Sequence, residues 1–296
     1  MAVTLIASEG GSGSYPENTA YAVKRSLAEG VDGCELDFHL TADNVFVAHH
    51  DYTLNAALTR DADGAWLGDP GPTIKHSTLQ ELREFNVGAV NPNSKTARRY
   101  PDRASLVHET VPTFEDIEQA FESSPGAELW FEAKTDPFDV ENTTMAEVYV
   151  DALTQVLGAS SLFSRTVLIA FDWRLLELAA IAMPGIQTGY LTVDFNWLSR
   201  SPLDEAQLTK LQRWYGNFGP RQFGDSTPRA IAAARGTNWS PYCQDLSTDL
   251  VKEAHDLGLN VSTWGADTEA EIEQALGHDV DSLTTGYVAR ARRLSG

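Results

Sequence analysis

The sequence predicts a (β/α)8 barrel of the α/β class, and three observations carry that prediction. About eight short β-rich runs alternate with segments of helical period from end to end, a number that a closed parallel barrel requires and a doubly wound open sheet normally does not. Acidic residues stand at the C-terminal ends of two of those runs, the edge at which barrel enzymes carry their chemistry. A chain of 296 residues with 42% apolar content suits one large barrel, and because the alternation never breaks into halves, residues 1–296 are read as a single domain.

Residues 3–7 form a buried-type strand, followed by a glycine loop and a helix that begins near Asn18-Thr19 and ends at Gly30. Runs 33–38 and 45–48 read as the second and third strands, with no full helix between them. Helix 114–121, strand 128–132 and helix 143–157 come next, then strand 167–170, helix 173–182 and strand 186–191. Helices over 204–215, 228–234 and 247–257, strand 259–263, helix 268–276 and a short strand 280–284 complete the chain. One further strand must lie within the irregular stretch 214–235. Residues 52–110 interrupt the rhythm with Gly, Pro, Asp and Asn clusters and one helix, 78–85. A structureless loop of that size is unusual, so the segment is expected to be an inserted excursion or lid over one barrel mouth. It leaves directly after His49-His50-Asp51.

Twenty-two basic residues against 42 acidic ones give a formal charge of -20, so the average field repels nucleic acid and anionic membrane surfaces. A phosphate-bearing substrate needs a cation or local basic groups to offset that field. The start, Met1-Ala2-Val3-Thr4-Leu5-Ile6, lacks a basic segment followed by a long apolar run, and no later stretch resembles a spanning helix. These features predict a soluble, cytoplasmic protein without integral membrane association. Cys34 and Cys243 show no zinc spacing and are expected as reduced core residues.

Glu35-Leu36-Asp37 is the most informative short piece. Positions i and i+2 of a strand face the same way, so both carboxylates share one side. They repel each other unless protonated, hydrogen-bonded or bridged by a cation, and an oxygen-seeking ion such as Mg²⁺ or Ca²⁺ answers that problem. Taken alone, the pair also fits a solvated strand end. Glu132 tilts the balance, because it ends the apolar run Leu129-Trp130-Phe131 and is followed at i+2 by Lys134. Glu132 can be a third ligand, and Lys134 can hold a ligand anion or offset the carboxylates. His49 and His50 point in opposite directions at a strand end, so at most one enters the mouth, where Asp51 could orient it for proton transfer. Glu9-Gly10-Gly11-Ser12-Gly13-Ser14 permits tight turns and close ligand approach but matches no nucleotide-binding fingerprint. Ser8 has no nucleophile elbow around it. Trp264, at another strand end, could cover an apolar part of a substrate or simply pack the rim.

With these residues placed, the sequence resembles the glycerophosphodiester phosphodiesterase family over nearly its whole length. The likeness runs in order through Leu5-Ile6-Ala7 with Gly10-Gly11, Pro16-Glu17-Asn18-Thr19, Glu35-Leu36-Asp37 with Thr41 and Asp43, His50-Asp51, Val111-Pro112-Thr113, Glu132-Ala133-Lys134 and Trp264. The resemblance implies a barrel, one divalent ion held by Glu35, Asp37 and Glu132, and Glu17 and Asn18 as organisers of the substrate and phosphate site. It also implies that Lys134 contacts the phosphate region and that two histidines act on opposite sides of phosphorus, one as base and one as acid. His50 matches the second. Where the family has a histidine-arginine pair, this chain has Ser8-Glu9, and the family's later Thr-Asp pattern is Thr284-Thr285. Serine cannot replace imidazole as a base without activation, and glutamate reverses the charge of arginine.

Three functions follow. The first is metal-dependent cleavage of a glycerophosphodiester or lysophospholipid-like substrate, with His50 as principal acid/base and Glu9 assisting; release of a cyclic phosphate by a lyase route fits the same geometry. The second is a divergent lyase or terpene cyclase that ionises a phosphate or diphosphate ester, using Trp130, Trp173 and Trp264 around the cation. The third is a catalytically impaired phospholigand-binding relative.

Overall fold

Residues 2–194 and 204–296 are described by the structure, a computed structural model. Its strands are β1 (Thr4–Ala7), β2 (Gly33–Leu40), β3 (Phe46–Ala48), β4 (Glu128–Ala133), β5 (Thr166–Ala170), β6 (Gln187–Thr192), β7 (Asn238–Pro241), β8 (Asn260–Trp264) and β9 (Ser282–Thr285). Eight of them are parallel staves in the order β1-β9-β8-β7-β6-β5-β4-β2, and the pairing of β1 with β2 closes the ring. This is the (β/α)8 barrel expected from the alternation of the sequence. Several helices between the staves start at side-chain caps. Thr19 caps Ala20–Ala28, and Thr113 and Thr268 open Phe114–Phe121 and Glu269–Leu276 with reciprocal capping boxes. No described helix is long and apolar enough to cross a membrane.

Alternation along each stave separates two layers. On β2, Cys34, Leu36 and Phe38 enter the apolar layer beneath the helices, as Leu129 and Phe131 do on β4. Glu35, Asp37 and Glu132 therefore face the barrel axis. Ile6, Trp130, Val167, Ile169 and Leu191 fill one side of the interior. Ser240 on β7, Ser262 on β8 and Thr284 on β9 line the other.

Two expectations about the staves need correction. The run at 45–48 is not a stave. β3 pairs antiparallel with β2, joined through a turn in which Thr41 Oγ1 accepts from the Val45 amide at 2.9 Å, and so short a link cannot make a parallel crossover. Nor does a strand lie within 214–235. The stave is β7, just beyond it, and Asn-Trp-Ser-Pro escapes detection because Asn238 and Ser240 sit on its cavity-facing side while only Trp239 enters the core. The helix expected over 204–215 is shorter, Glu205–Leu211, and the last stave is displaced towards the C-terminus from 280–284. Trp173 is fully buried outside the staves against Tyr190 and Tyr215, with ring centroids 5.0 and 4.9 Å away, so it cannot surround a bound cation.

The segment 52–110 has its own small core of Leu54, Ile74, Leu82 and Val87, packed on Val47 and Val111. It carries the helix Leu79–Leu82, within the stretch expected, and a second helix, Lys95–Arg99. Its last part leans on the C-terminal face of the barrel. The Ala104 amide donates to the Ser14 carbonyl at 2.9 Å, Arg103 Nη1 lies 2.7 Å from Glu17 Oε2, and Arg99 reaches Asp267 at 3.4 Å.

Phe131 is the centre of the aromatic layer between β2, β3 and β4: it is fully buried, stacks on Phe38 at 4.0 Å and meets Phe46 edge-on at 5.8 Å. Truncation leaves a cavity that close packing cannot collapse. Phe131→Ala is expected to lower unfolding free energy by about 3–5 kcal/mol in urea titrations, whereas Ile181→Ala, at a side chain 78% exposed, should stay within about 0.5 kcal/mol.

Candidate active site

The register of β2 on β4 builds the centre: Glu35 lies opposite Trp130, and Asp37 opposite Glu132. One oxygen from each of Glu35, Asp37 and Glu132 falls within a common 4.8 Å. Lys134 Nζ spans two of these carboxylates, 2.7 Å from Asp37 Oδ1 and 2.7 Å from Glu132 Oε1. Asn18 grips Asp37 twice. Its Nδ2 donates to Oδ2 at 2.8 Å and its Oδ1 accepts from the Asp37 amide at 2.9 Å. Asn18 adopts φ +54°, a left-handed conformation that asparagine tolerates better than most residues.

Glu35 is held from one side only. Ser8 Oγ donates to its Oε2 at 3.2 Å and the Glu9 amide to the same oxygen at 2.9 Å. Its Oε1 is buried without a hydrogen-bond partner, a state that costs on the order of 1–3 kcal/mol for a buried polar group. Burial, then repulsion from Asp37 and Glu132, raises the Glu35 carboxyl well above its ordinary range. Burial also raises Glu132, against the opposing pull of Lys134. Asp37 goes the other way: burial disfavours its charge, but Lys134, His50 and Asn18 outweigh it and lower the carboxyl. An unpartnered buried oxygen in an all-oxygen donor set is what a hard divalent cation fits.

Glu9 turns out of the first stave at φ 51°, ψ 31°, and the Asn18 amide donates to its carbonyl at 2.8 Å. Its carboxyl is pushed up to about 8, chiefly by burial and then by Glu17 and Asp37, with His50 and Arg103 opposing. His50 follows β3 with its side chain 48% exposed, and Asp51 Oδ1 lies 2.8 Å from its Nδ1. Lys134 and burial act against its charge, yet Asp37, Asp51 and Glu9 prevail and raise the imidazole. Asn55 Nδ2 in turn donates to Asp51 Oδ2 at 2.8 Å. His49 points the other way, buried, with Nε2 accepting from the Asn55 amide at 3.3 Å.

These groups open on a cavity of about 220 Å³ that is lined by Ser8, Glu9, Glu35, Asp37, His50, Glu132 and Lys134 on its polar side. Trp130, Ile169, Phe171, Leu191 and Trp264 form an apolar wall, and Ser240, Ser262 and Thr284 face it with hydroxyls. Trp264 is fixed by its Nε1, which donates to the Ser240 carbonyl at 3.1 Å, and by an edge contact with Phe171 at 5.8 Å. Asn18 and Glu17 do not line the cavity; Asn18 stands behind Asp37, and Glu17 is engaged by Arg103. Arg103 is the group that the sequence reading missed. Its side chain is wholly buried, its Nε and Nη2 have no hydrogen-bond partner, and its guanidinium stacks over Tyr100 at 4.3 Å. No local pattern in 52–110 marks it, because its partner lies 86 residues earlier.

The profile of the Glycerophosphoryl diester phosphodiesterase family matches residues 9–290. A glycerophosphodiester phosphodiesterase of Caldanaerobacter subterraneus is 36% identical over 88 residues, 30% of this chain and 32% of that protein, so the match spans about a third of that relative's length. Among solved structures, a protein of Silicibacter pomeroyi provisionally assigned as a glycerophosphoryl diester phosphodiesterase superposes with a TM-score of 0.85 at 31% identity, covering 99% of this chain and 93% of its own. A phosphodiesterase of Oleispira antarctica, solved with the product sn-glycerol-3-phosphate, shares the fold with a TM-score of 0.68 at 18% identity over 98% of this chain and 96% of its own.

The carboxyl shifts set a pH dependence. Glu9 moves from 4.5 to about 8 on folding, so across that window the folded chain holds more protons than the unfolded one, and stability falls as pH rises. In chelator, the wild-type Tm is expected to decline through this window more steeply than that of Glu9→Gln, and Mg²⁺ should lessen the decline. Identical slopes for the two proteins in a thermal melt series would contradict the placement of Glu9.

Proposed function

The chain belongs to the glycerophosphoryl diester phosphodiesterase family, and on that footing we propose that it is an enzyme cleaving a glycerophosphodiester or lysophospholipid-like ester with one divalent cation. The observation that carries this reading is the partnerless Oε1 of Glu35 within the cluster of three buried carboxylates. Glu35, Asp37 and Glu132 would hold the ion, and a purely oxygen donor set favours Mg²⁺ or Ca²⁺. When bound, such an ion neutralises carboxylate repulsion and stabilises charge developing on phosphoryl oxygens.

The remaining work falls to side chains on the cavity. Lys134 keeps a positive charge beside the carboxylates, where a phosphate oxygen can meet it. His50 has Nδ1 engaged by Asp51, leaving Nε2 for the cavity. As imidazolium it donates its proton to the leaving alkoxide while the phosphorus–oxygen bond to that alcohol breaks. Ser8 lacks the basicity to activate water. Glu9, whose carboxyl exchanges its proton near neutral pH, takes the proton of the attacking water as the new oxygen–phosphorus bond forms. The aromatic wall buries the apolar part of the alcohol, with Trp264 at its rim.

Incubation with Mg²⁺ or Ca²⁺ and a panel of glycerophosphodiesters, lysophospholipids and prenyl diphosphates, followed by phosphorus NMR and mass spectrometry, tests the reading. A free alcohol together with a phosphomonoester is the expected outcome. A cyclic phosphate replaces hydrolysis by the lyase route; released diphosphate, or binding without turnover, overturns the proposal. Glu35→Gln, Asp37→Asn and Glu132→Gln should each abolish the cation dependence while preserving the fold. His50→Ala is expected to slow turnover by about 10²–10⁴-fold.

A further inference from the structure

Glu9 brings a fourth carboxylate to a cavity that already holds Glu35, Asp37 and Glu132, and Lys134 is the only ammonium or guanidinium lining it among the described residues. With all four ionised, those groups sum to a formal charge of -3, since four carboxylates oppose one ammonium. A single divalent ion leaves that lining at zero when His50 is imidazolium and at -1 when His50 is neutral. With a neutral His50 a further cation meets attraction.

The geometry supplies a place for it. Beside the all-oxygen cluster, Glu9, Asp37 and His50 each offer a ligand atom, and these atoms lie within 4.8 Å of one another. Neither Glu9 carboxylate oxygen has a hydrogen bond or ion pair among the described residues, so none of those residues holds them against a ligand. Asp37 is common to both clusters. Its Oδ1 receives Lys134 and its Oδ2 receives Asn18, which leaves a further lone pair on each oxygen for bridging. His50 carries the outer support that metal-binding imidazoles have: Asp51 Oδ1 sits at 2.8 Å from Nδ1, which fixes the tautomer with Nε2 free. Glu35, which lines the same cavity, has a buried and unpartnered Oε1.

We propose that Glu9, Asp37 and His50 form a second divalent-ion site, bridged through Asp37 to the first and selective for an ion that accepts imidazole. One nitrogen and two carboxylates suit Mn²⁺ or Zn²⁺ better than Mg²⁺ or Ca²⁺, whereas the three-carboxylate site retains the harder ions. The two loadings have different chemistry. With one ion, His50 and Glu9 are free to move protons; with two, both are ligands and that proton transfer stops. The second site is thus an inhibitory one, through which an excess of a borderline-soft ion arrests the Mg²⁺ reaction.

This inference rests on the proposed function for the first ion and for the roles of His50 and Glu9, but its test counts ions rather than turnovers. The 296-residue chain stripped of metal is titrated with Mn²⁺, with free ion measured by its paramagnetic resonance signal and binding heats recorded in parallel. Two Mn²⁺ per chain are expected for the wild type, with an exchange-coupled signal at saturation, and one for Glu9→Gln and for His50→Ala. Fewer than two in the wild type, or two in either variant, overturns the second site; matching far-ultraviolet dichroism establishes that each variant is folded. One Mn²⁺ per chain in a protein that cleaves a diester with Mg²⁺ alone removes the second site and leaves the proposed function standing, and two Mn²⁺ per chain in a protein that cleaves none with Mg²⁺ alone does the reverse.

Discussion

Mutual repulsion among inward-facing carboxylates is the constraint around which the C-terminal end of this barrel is arranged. The parallel pairing of β2 with β4 puts Asp37 opposite Glu132 on the axial face, and two residues earlier on β2 the same face carries Glu35. Nothing in the strand geometry relieves that crowding, because side chains that alternate must face either the helices or the axis. Lys134, Asn18, Ser8 and the Glu9 amide all converge on it. Each of these donors comes from the loop or strand end beyond a stave, so the loops are shaped by the electrostatic demand of the staves beneath them.

The barrel interior is correspondingly lopsided. Large apolar side chains from β1, β4, β5 and β6 fill one half, and small hydroxyl residues from β7, β8 and β9 leave the other half open. Close packing across the whole interior would have expelled the cavity. The serine-bearing staves therefore give up core packing and leave a cavity beside the carboxylates. Burial of the helix-facing layer, where Phe38, Phe46 and Phe131 meet, compensates on the outside of the sheet.

What could be read from the residues alone follows the range over which each signal acts. Glu35 and Asp37 share a face by a rule of period two, and Glu132 and Lys134 extend it, so the carboxylate half of the centre was visible without coordinates. The pairing of Asp37 with Glu132 was not, because register joins positions almost a hundred residues apart. β7 stayed hidden for a physical reason: a stave whose inner face borders a cavity has no need of the apolar alternation by which strands are recognised. β3 was misassigned through its composition, although the brevity of the link from β2 already required an antiparallel return. At Glu9 the departure from the family pattern was plain, but its burial and its reach towards Asp37 and His50 depend on a left-handed turn and on partners from distant staves. Arg103 left no local trace at all.

That arginine ties the segment 52–110 to the barrel. Half of a buried ion pair belongs to the barrel and half to the excursion, so neither can be exchanged among relatives by itself: a transplanted excursion lacking the guanidinium would strand Glu17 next to the carboxylate centre, and a barrel lacking the glutamate would strand the guanidinium. Inheritance of the two pieces is thereby coupled. Assembly is coupled as well, since this ion pair joins positions 86 residues apart and forms only when the segment and the loop after the first stave have come together.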